Sequence, residues 1–248
     1  MNITIIPDQH GESHWKKVYN LKSDYYISLG DWFDSFIVPP SLQIQNFIEY
    51  MEWVKQDPEH RITCIGNHDL AYMTTEKSGA SVSGHNLDYH DEICNLLYGN
   101  FKYLKLFFIL DDIVFSHAGF SNTWINRFNI NLKHLKNNWI HYYDKLTFVQ
   151  PKLRELIDTP ISPVGDNVWQ SPLWIRPNSL IKDSFFDFQI VGHTEICTYS
   201  PAFIQKDGKK FIFCDSVNHN LITTINTNEI KDDEKYYFGQ PDEYKIIG

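Results

Sequence analysis

IIPDQHGES, residues 5–13, is a short apolar run that ends in an acid, a histidine and a glycine. The isoleucines of the strand predicted over Ile3 to Pro7 are expected to be buried. A buried strand does not require polar residues at its end. Asp8 and His10 are therefore expected to serve chemistry, because functional sites in open α/β sheets form at the carboxyl ends of strands. The stretch predicts an α/β fold with a site beside its first strand.

Four further apolar runs along the chain end in similar polar clusters. These clusters are GDWFD at residues 30–34, GNHD at 66–69, SHAG at 116–119 and VGHT at 191–194. Each one alone is compatible with an ordinary turn, a helix cap or a buried histidine. Because the loops at the ends of parallel strands converge in space, the whole set predicts one shared crevice.

The composition is that of an ordinary globular chain. Its 248 residues are 42% hydrophobic and 21% charged, enough to bury a substantial core. We expect a single domain over residues 1–248, with a tail at 231–248 that packs on the surface or frays. The four cysteines have no paired spacing and are interpreted as reduced. Without a basic leader or an apolar span, the sequence favours a cytoplasmic protein with no membrane partner.

The net charge limits the partners that the chain can bind. At −9, with no lysine-rich stretch, it disfavours binding to bulk nucleic acid. An anionic substrate must then be met locally by metal ions or by a few cationic side chains. The oligomeric state is left open.

Short β-rich runs alternate with helical patterns. The predicted strands are Ile3 to Pro7, Tyr25 to Leu29 and Ile62 to Ile65, with hairpins in Tyr103 to Ser116 and Ala202 to Asp215. The predicted helices are Ser41 to Gln56, Leu87 to Tyr98, Ser121 to Phe128 and roughly Asp144 to Ile157. In the first helix the expected buried face is Ile44, Phe47, Ile48, Met51 and Val54. The hairpins add antiparallel pairs, so mixed sheets are expected.

The residue types in the five clusters indicate metal binding. Carboxylates, neutral imidazoles and an amide carbonyl suit divalent ions of intermediate softness. Two such ions about 3.5–4 Å apart, joined by one carboxylate, clamp a phosphoryl group and supply hydroxide. We expect two divalent ions, with manganese as the first choice and iron, zinc, cobalt or nickel as alternatives.

Taken together, PDQHG, GDWFD, GNHD, SHAG and VGHT resemble the motifs of the calcineurin-like metallophosphoesterases, in particular the phosphoprotein phosphatase (serine/threonine phosphatase) branch. The likeness spans about Ile3 to Asp215. It implies two mixed β-sheets packed face to face and flanked by helices, a four-layer α/β sandwich. It also implies phosphoester hydrolysis by in-line attack of a hydroxide that bridges two metal ions.

The resemblance assigns a role to each motif residue. The implied metal ligands are Asp8 and His10 for the first ion, Asp31 as the bridge, and Asn67, His117 and His193 for the second ion. His68 takes the position of the acid that protonates the leaving group, and Asp34 that of the carboxylate that orients it. Asn67 is also expected to bind the phosphate.

Two further residues are candidates for substrate binding. SPLWIRP, residues 171–177, resembles the segment that brings an arginine to the phosphate, so Arg176 is predicted to bind it bidentately. A surface arginine beside a turn is the alternative. The glycine- and serine-rich segment 77–90 forms either a lid that carries His85 into the cleft or a plain flexible loop.

One departure from the branch leaves the substrate open. Ser35 stands where these phosphatases normally have an arginine, so one phosphate clamp is missing. We expect phosphomonoesters, in small molecules or phosphoproteins, because the related diadenosine tetraphosphatases typically lack the carboxylate of Asp34. A bis(nucleosyl)-tetraphosphatase or other nucleotide phosphohydrolase is the first alternative. A non-catalytic scaffold with this fold is the second.

Overall fold

The structure is a computed structural model that describes residues 1–73, 82–127, 129–133, 135–136, 166–216 and 221–231. The helix predicted near 144–157, part of the 77–90 segment and the tail beyond 231 lie outside the described residues. The single-domain assignment stays a prediction.

Within the described residues, the first sheet has five strands in the order β10-β1-β2-β3-β4. Its strands are β1 (Asn2–Ile6), β2 (Tyr25–Ser28), β3 (Arg61–Cys64), β4 (Leu104–Lys105) and β10 (Thr223–Asn226). β1 to β4 are parallel, and β10 pairs antiparallel with β1. The predicted N-terminal strands are confirmed, each displaced by no more than one residue at either end.

The second sheet also has five strands in the part of the chain that the structure describes, in the order β5-β6-β7-β9-β8. Its strands are β5 (Phe107–Leu110), β6 (Ile113–Ser116), β7 (Phe188–Val191), β8 (Ala202–Lys206) and β9 (Lys209–Phe213). β6, β7 and β9 are parallel, while the hairpins β5-β6 and β8-β9 are antiparallel. Both predicted hairpins are confirmed, and positive φ angles at Asp111, Asp112, Asp207 and Gly208 are typical of tight hairpin turns.

The described helices flank the sheets. They are α1 (Pro40–Gln56), α2 (Asn67–Met73), α3 (His90–Asn100), α4 (Asn122–Arg127), α5 (Pro177–Asp183) and α6 (Thr227–Lys231). The prediction of a helix from Leu87 was wrong by three residues, because Leu87–Tyr89 form a 3-10 turn that the Asn86 side chain caps through the Asp88 N–H. Among the described helices, none has the length and apolar character needed to cross a membrane.

The buried face of α1 differs from the predicted one. Ile48 is 38% exposed, so its assignment to the core was wrong. The buried stripe also includes four residues that the prediction left out: Gln43, Asn46, Tyr50 and Trp53. Tyr50 stacks on Trp32 with ring centroids 3.9 Å apart. This aromatic contact rotates the buried stripe and leaves Ile48 at its margin.

The two sheets face each other across an apolar core. That core contains Ile3, Ile5 and Ile27 of the first sheet with Phe115, Ile190 and Ile212 of the second. On the outer face of the first sheet, α1 packs in a second cluster, and α5 contributes Leu180 to a third cluster on the outer face of the second sheet. The expected layered fold of two mixed sheets with flanking helices is confirmed.

Candidate metal centre

Five strand-end loops bring the predicted ligands into one place. Asp8 and His10 follow β1, Asp31 and Asp34 follow β2, Asn67 and His68 begin α2 after β3, His117 follows β6, and His193 follows β7. Two groups of side chains have all ligand atoms within 4.8 Å of one another: Asp8, His10 and Asp31, and Asp31, His117 and His193. Asp31 belongs to both groups, as a bridging carboxylate must.

Several site residues adopt an unusual backbone conformation. The φ angles are 42° at His10, 52° at Asp31, 71° at Asp34 and 67° at His193. A left-handed conformation costs a residue other than glycine about 1–2 kcal/mol, so surrounding contacts must hold it. The turned backbone directs these side chains back towards the crevice instead of along the strand.

The two oxygens of Asp31 have different surroundings. Oδ1 accepts the His68 backbone N–H at 2.9 Å. Oδ2 lies 3.4 Å from His117 Nε2 and 3.9 Å from His10 Nε2, between the two ligand groups. Burial alone would raise the pKa of Asp31, but the nearby imidazoles, His117 first among them, lower it to about 2. The carboxylate is therefore ionised at neutral pH.

Each candidate histidine ligand has one ring nitrogen bonded to a backbone carbonyl. The pairs are His10 Nδ1 with Phe33 O at 2.9 Å, His117 Nδ1 with Leu29 O at 2.9 Å, and His193 Nε2 with Trp174 O at 3.2 Å. A carbonyl oxygen only accepts, so each of these nitrogens carries the proton. The other nitrogen of each ring then presents a lone pair to the centre, as in metal-binding histidines.

Lone pairs converge on one point beside Asn67. Its Oδ1 lies 2.7 Å from His117 Nε2 and 3.1 Å from His193 Nδ1, and these two nitrogens are 3.1 Å apart. Each of the two rings carries its proton on the nitrogen that faces a backbone carbonyl. None of the three atoms beside Asn67 therefore has a proton to donate to another. They repel one another unless a cation lies between them, so the donor set fits a divalent ion.

Asp8 supports the same conclusion in the other group. Its Oδ2 accepts the His193 backbone N–H at 2.9 Å, whereas its buried Oδ1 has no hydrogen-bond partner among the described residues. Burial, followed by the charges of Asp215 and Asp31, raises the pKa of Asp8 well above its usual value. A buried carboxylate oxygen without a donor is costly, and a bound cation removes that cost.

Asp69 holds two of the loops together. Its buried carboxylate accepts backbone N–H groups from Asp31 at 2.9 Å, from Trp32 at 2.7 Å and from Gly66 at 2.9 Å. It thus joins the GDWFD loop to the GNHD loop and holds the backbone of Asp31. Burial and the charge of Asp31 raise the pKa of Asp69 to about 7.

A hydrogen-bonded chain runs behind His68. Its Nδ1 lies 2.8 Å from Asp34 Oδ2, while the Tyr72 hydroxyl donates to Asp34 Oδ1 and accepts the Asn86 backbone N–H at 2.9 Å. The Asp34 side chain is fully buried. Burial lowers the pKa of His68, but the charges of Asp31 and Asp34 outweigh it, and the net pKa is raised. The imidazole is thus suited to hold a proton on Nε2.

Polar residues of α1 hold the loops that follow β1 and β2. The Gln43 amide donates to Val38 O at 2.6 Å and accepts the Ser35 N–H at 3.3 Å. Asn46 donates to Gly11 O at 2.7 Å. Gly11 has a φ of 76°, and a Cβ there would lie 2.2 Å from the Gln43 side chain, so glycine is required. α1 therefore sets the position of both loops.

A pocket of about 320 Å³ opens beside the centre. Its described lining residues are Asp8, Gln9, His10, Glu12, Asp34, Ser35, Phe36, Ile37, His68, Ser83 and Glu195. Arg176 is not among them, although it is near enough to His193 to contribute to the lowering of that residue's pKa, after burial and His117. The phosphate-binding role of Arg176 stays a prediction.

His85 is not among the described lining residues of the pocket. Its ring stacks on Tyr72 with centroids 4.1 Å apart, and its Nε2 is 3.1 Å from His90 Nδ1. Substrate binding by His85 stays a prediction. Residues 77–81 of the segment proposed as a lid lie outside the described residues.

Sequence reasoning missed the residues that support the centre. Tyr72 lies four positions after His68, the spacing that places both on one face of a helix. Gln43 and Asn46 stand out as amides within an apolar stripe, a signal that the sequence contained. No role was predicted for Asp69, although its carboxylate binds backbone N–H groups of two loops.

The comparisons with known proteins agree with this architecture. The sequence profile described as calcineurin-like phosphoesterase matches residues 1–195. A cold-active protein-tyrosine phosphatase from a psychrophilic Shewanella species is similar at 15% identity, with 92% of this chain and 76% of that chain covered and a TM-score of 0.57. A protein serine/threonine phosphatase from Saccharomyces cerevisiae is similar at 14% identity, with 86% and 66% covered and a TM-score of 0.53.

No protein with a curated function matches the sequence. At these identities the structural likenesses establish the fold, and the profile match, which covers more than half of the chain, establishes the family. Because the chain belongs to an enzyme family, the second alternative, a non-catalytic scaffold with this fold, is rejected. The strand-end ligands and the matched profile lead to one conclusion: the chain belongs to the calcineurin-like phosphoesterases and is a metallophosphoesterase.

Proposed function

We propose that this phosphoesterase uses two divalent metal ions, manganese first among the candidates, to hydrolyse phosphomonoesters in the manner of a serine/threonine protein phosphatase. The observation that carries the proposal is the position of Asp31 Oδ2 between two groups of ligand atoms. Asp8 and His10 would hold one ion. Asn67, His117 and His193 would hold the other, and Asp31 would bind both.

The protein's own residues prepare this centre for hydrolysis. The bound ions would supply Lewis-acid stabilisation of the phosphate and an activated water. Burial lowers the pKa values of His117 and His193, which keeps their imidazoles neutral and able to bind a metal at neutral pH. The backbone carbonyls of Leu29 and Trp174 fix which nitrogen of each ring is available.

His68 would act as the general acid. Asp34 orients its Nδ1, so the Nε2 proton is free to pass to the leaving oxygen of a phosphate held at the centre. His68 lines the pocket, where a leaving group has access to it. The contact between Asp34 and His68 also favours a phosphomonoesterase over a nucleotide phosphohydrolase. Arg176 remains the candidate for the equatorial phosphate oxygens.

Two substrates separate the main proposal from its alternative. A phosphoserine or phosphothreonine peptide and a dinucleoside tetraphosphate would be supplied to the manganese-loaded protein, and kcat/KM would be measured for each. A higher value for the peptide supports a phosphomonoesterase. A higher value for the dinucleoside tetraphosphate would replace it with a nucleotide phosphohydrolase.

Asp31→Asn tests the shared carboxylate. The variant keeps the shape of the side chain but loses the charge between the two ligand groups. We therefore expect kcat to fall at least about 100-fold, the upper end of the loss of activity seen when the surroundings of a bound metal are changed. Calorimetric titration with manganese should show weaker binding at both sites. Asp112→Asn, the same change in an exposed hairpin turn, is the matched control. An unchanged rate for Asp31→Asn in manganese-supplemented buffer would contradict the proposal.

A further inference from the structure

Two large apolar side chains stand exposed at the mouth of the pocket. Phe36 is 81% exposed and Ile37 is 86% exposed, and both line the pocket that contains His68. We call this pair the apolar lip. Single exposed apolar residues are common, but two adjacent ones beside a reaction centre indicate a contact surface for a ligand.

The backbone of the apolar lip is held in place. The Ser35 hydroxyl accepts the N–H groups of Ile37 at 3.2 Å and Val38 at 3.0 Å. Gln43 of α1 binds Val38 O at 2.6 Å, and two prolines follow at positions 39 and 40. The lip is therefore presented to solvent by a fixed turn, and a ligand that binds it meets little ordering cost.

Ser35, which stands where the related phosphatases have an arginine, has a structural role in this turn. Ser35 serves the turn through its hydroxyl, and the next two positions carry apolar side chains. In the related phosphatases this loop carries a phosphate-binding arginine. In this chain it carries the exposed apolar side chains of Phe36 and Ile37 instead.

The apolar lip shares its pocket with the proposed general acid, His68. To receive a proton, the leaving group of a substrate has to contact His68, and His68 lines the same pocket as Phe36 and Ile37. The part of the substrate beyond the scissile oxygen is therefore within reach of the apolar lip, while the phosphate itself stays at the metal centre.

The charges around the pocket disfavour further anionic groups. Glu12 adds a carboxylate to the lining, and the described lining residues include no lysine or arginine. Glu12 contacts the His14 ring, whose pKa is lowered, mainly by burial, so this contact does little to cancel its charge at neutral pH. Additional phosphates on the leaving group would be repelled there.

We infer that Phe36 and Ile37 bind the leaving group, and that the preferred substrates are phosphate monoesters of aromatic or bulky apolar alcohols. The inference rests on the proposed phosphomonoesterase function and specifies its substrate class. A phosphorylated phenol side chain in a peptide belongs to this class, and a nucleoside polyphosphate does not.

The test compares two esters whose leaving groups have similar acidity and different apolar bulk, phenyl phosphate and para-tert-butylphenyl phosphate. The ratio of their kcat/KM values reports contact with the added alkyl group. We expect a ratio of about tenfold in favour of the bulkier ester, from partial burial of its methyl groups. In the Phe36→Ala/Ile37→Ala double variant the ratio should fall towards one.

Tyr199→Ala is the matched control, since Tyr199 is 83% exposed and does not appear in the described lining of the pocket. Its ratio should equal that of the wild type. A wild-type ratio near one, or a ratio that survives in the double variant, would overturn the inference and leave phosphomonoester hydrolysis standing. Hydrolysis of a phosphoserine peptide but of neither aryl ester by the manganese-loaded protein would overturn the inference alone, whereas failure to hydrolyse all three substrates would reject the proposed function, and the inference with it.

Discussion

The backbone holds each of the imidazoles of His10, His117 and His193 in one tautomer. A carbonyl oxygen accepts from one nitrogen of each ring, which directs the other nitrogen towards the shared carboxylate or the Asn67 oxygen. Rings fixed in this way lose little rotational freedom when they bind a metal, so the affinity of the centre depends on these carbonyls as well as on the ligands.

Tyr72→Phe tests whether the Tyr72 hydroxyl positions the acid. Without its O–H the variant leaves Asp34 Oδ1 with one donor fewer, so Asp34 orients His68 less well. Proton donation matters most for a poor leaving group, so kcat for phenyl phosphate should fall about tenfold, a part of the roughly 10²–10⁴-fold that general-acid catalysis contributes. The change in kcat for para-nitrophenyl phosphate should be much smaller, with KM similar for both.

Tyr50→Phe is the control for this prediction. Tyr50 is also buried, and its hydroxyl lies 2.9 Å from the Thr63 hydroxyl, away from His68. This variant should leave the dependence of kcat on the leaving group as in the wild type. Equal losses on both esters in Tyr72→Phe would show a general structural role instead.

Gly192→Ala should damage the metal centre directly. A Cβ at this position would lie 2.2 Å from Asp8 Oδ1, so the carboxylate must move. We expect manganese affinity to drop at least tenfold, as seen when metal ligands are disturbed, measured by calorimetric titration. Gly99→Ala in α3, where a Cβ meets nothing within 4 Å, should instead gain about 0.5–1 kcal/mol of stability. Normal metal binding by Gly192→Ala would exclude Asp8 from the site.

At the scale of elements, α1 does more than cover the first sheet. Its buried stripe includes Gln43 and Asn46, which bind backbone groups of the loops after β2 and β1. Buried amides are tolerated because their hydrogen bonds are made within the protein. Packing of the helix is thereby linked to the geometry of the metal centre.

Gln43→Ala tests this link. Removal of the amide leaves Ser35 N–H and Val38 O without their partner, so the free energy of unfolding should fall by about 1–3 kcal/mol, as measured by urea denaturation. The loosened turn should also reduce kcat/KM for para-tert-butylphenyl phosphate more than for phenyl phosphate. Gln45→Ala, on the exposed side of α1 where Gln45 binds Glu49, should change neither quantity. Identical losses on both esters would separate α1 from the apolar lip.

At the scale of the whole molecule, the centre lies where the two sheets meet. Asp8, Asp31 and Asn67 follow strands of the first sheet, and His117 and His193 follow strands of the second. Bound metal ions would cross-link the sheets, and their binding energy would add to the stability of the fold.

Manganese should therefore raise the melting temperature of the protein. Free metal at about 100 times its dissociation constant adds about 2.7 kcal/mol, which corresponds to a rise of roughly 5–10 °C for a chain of this size. Differential scanning calorimetry with and without a chelator measures the shift. Asp31→Asn should lose most of it, whereas Asp112→Asn should keep it. A wild-type melting temperature that is indifferent to manganese would argue against a cross-link between the sheets.

The sequence by itself determined the strands, the hairpins and the set of candidate ligands. These features are local: an apolar run of four or five residues forms a strand, and an Asp, His or Gly at its end tolerates the turned backbone that a site needs. Within one sheet the ends of parallel strands meet, so the convergence of Asp8, Asp31 and Asn67 followed from their positions in the chain, whereas the approach of His117 required the packing of the second sheet on the first.

Tertiary structure alone decided which residues support the centre and which remain exposed. The buried stripe of α1, the carboxylate of Asp69 between two loops and the exposure of Phe36 and Ile37 depend on contacts between segments far apart in the chain. The pKa shifts of Asp8 and Asp31 have opposite signs, although both residues are buried acids at strand ends. Their neighbours in space, carboxylates around Asp8 and imidazoles around Asp31, set that difference, and only the folded chain brings those neighbours together.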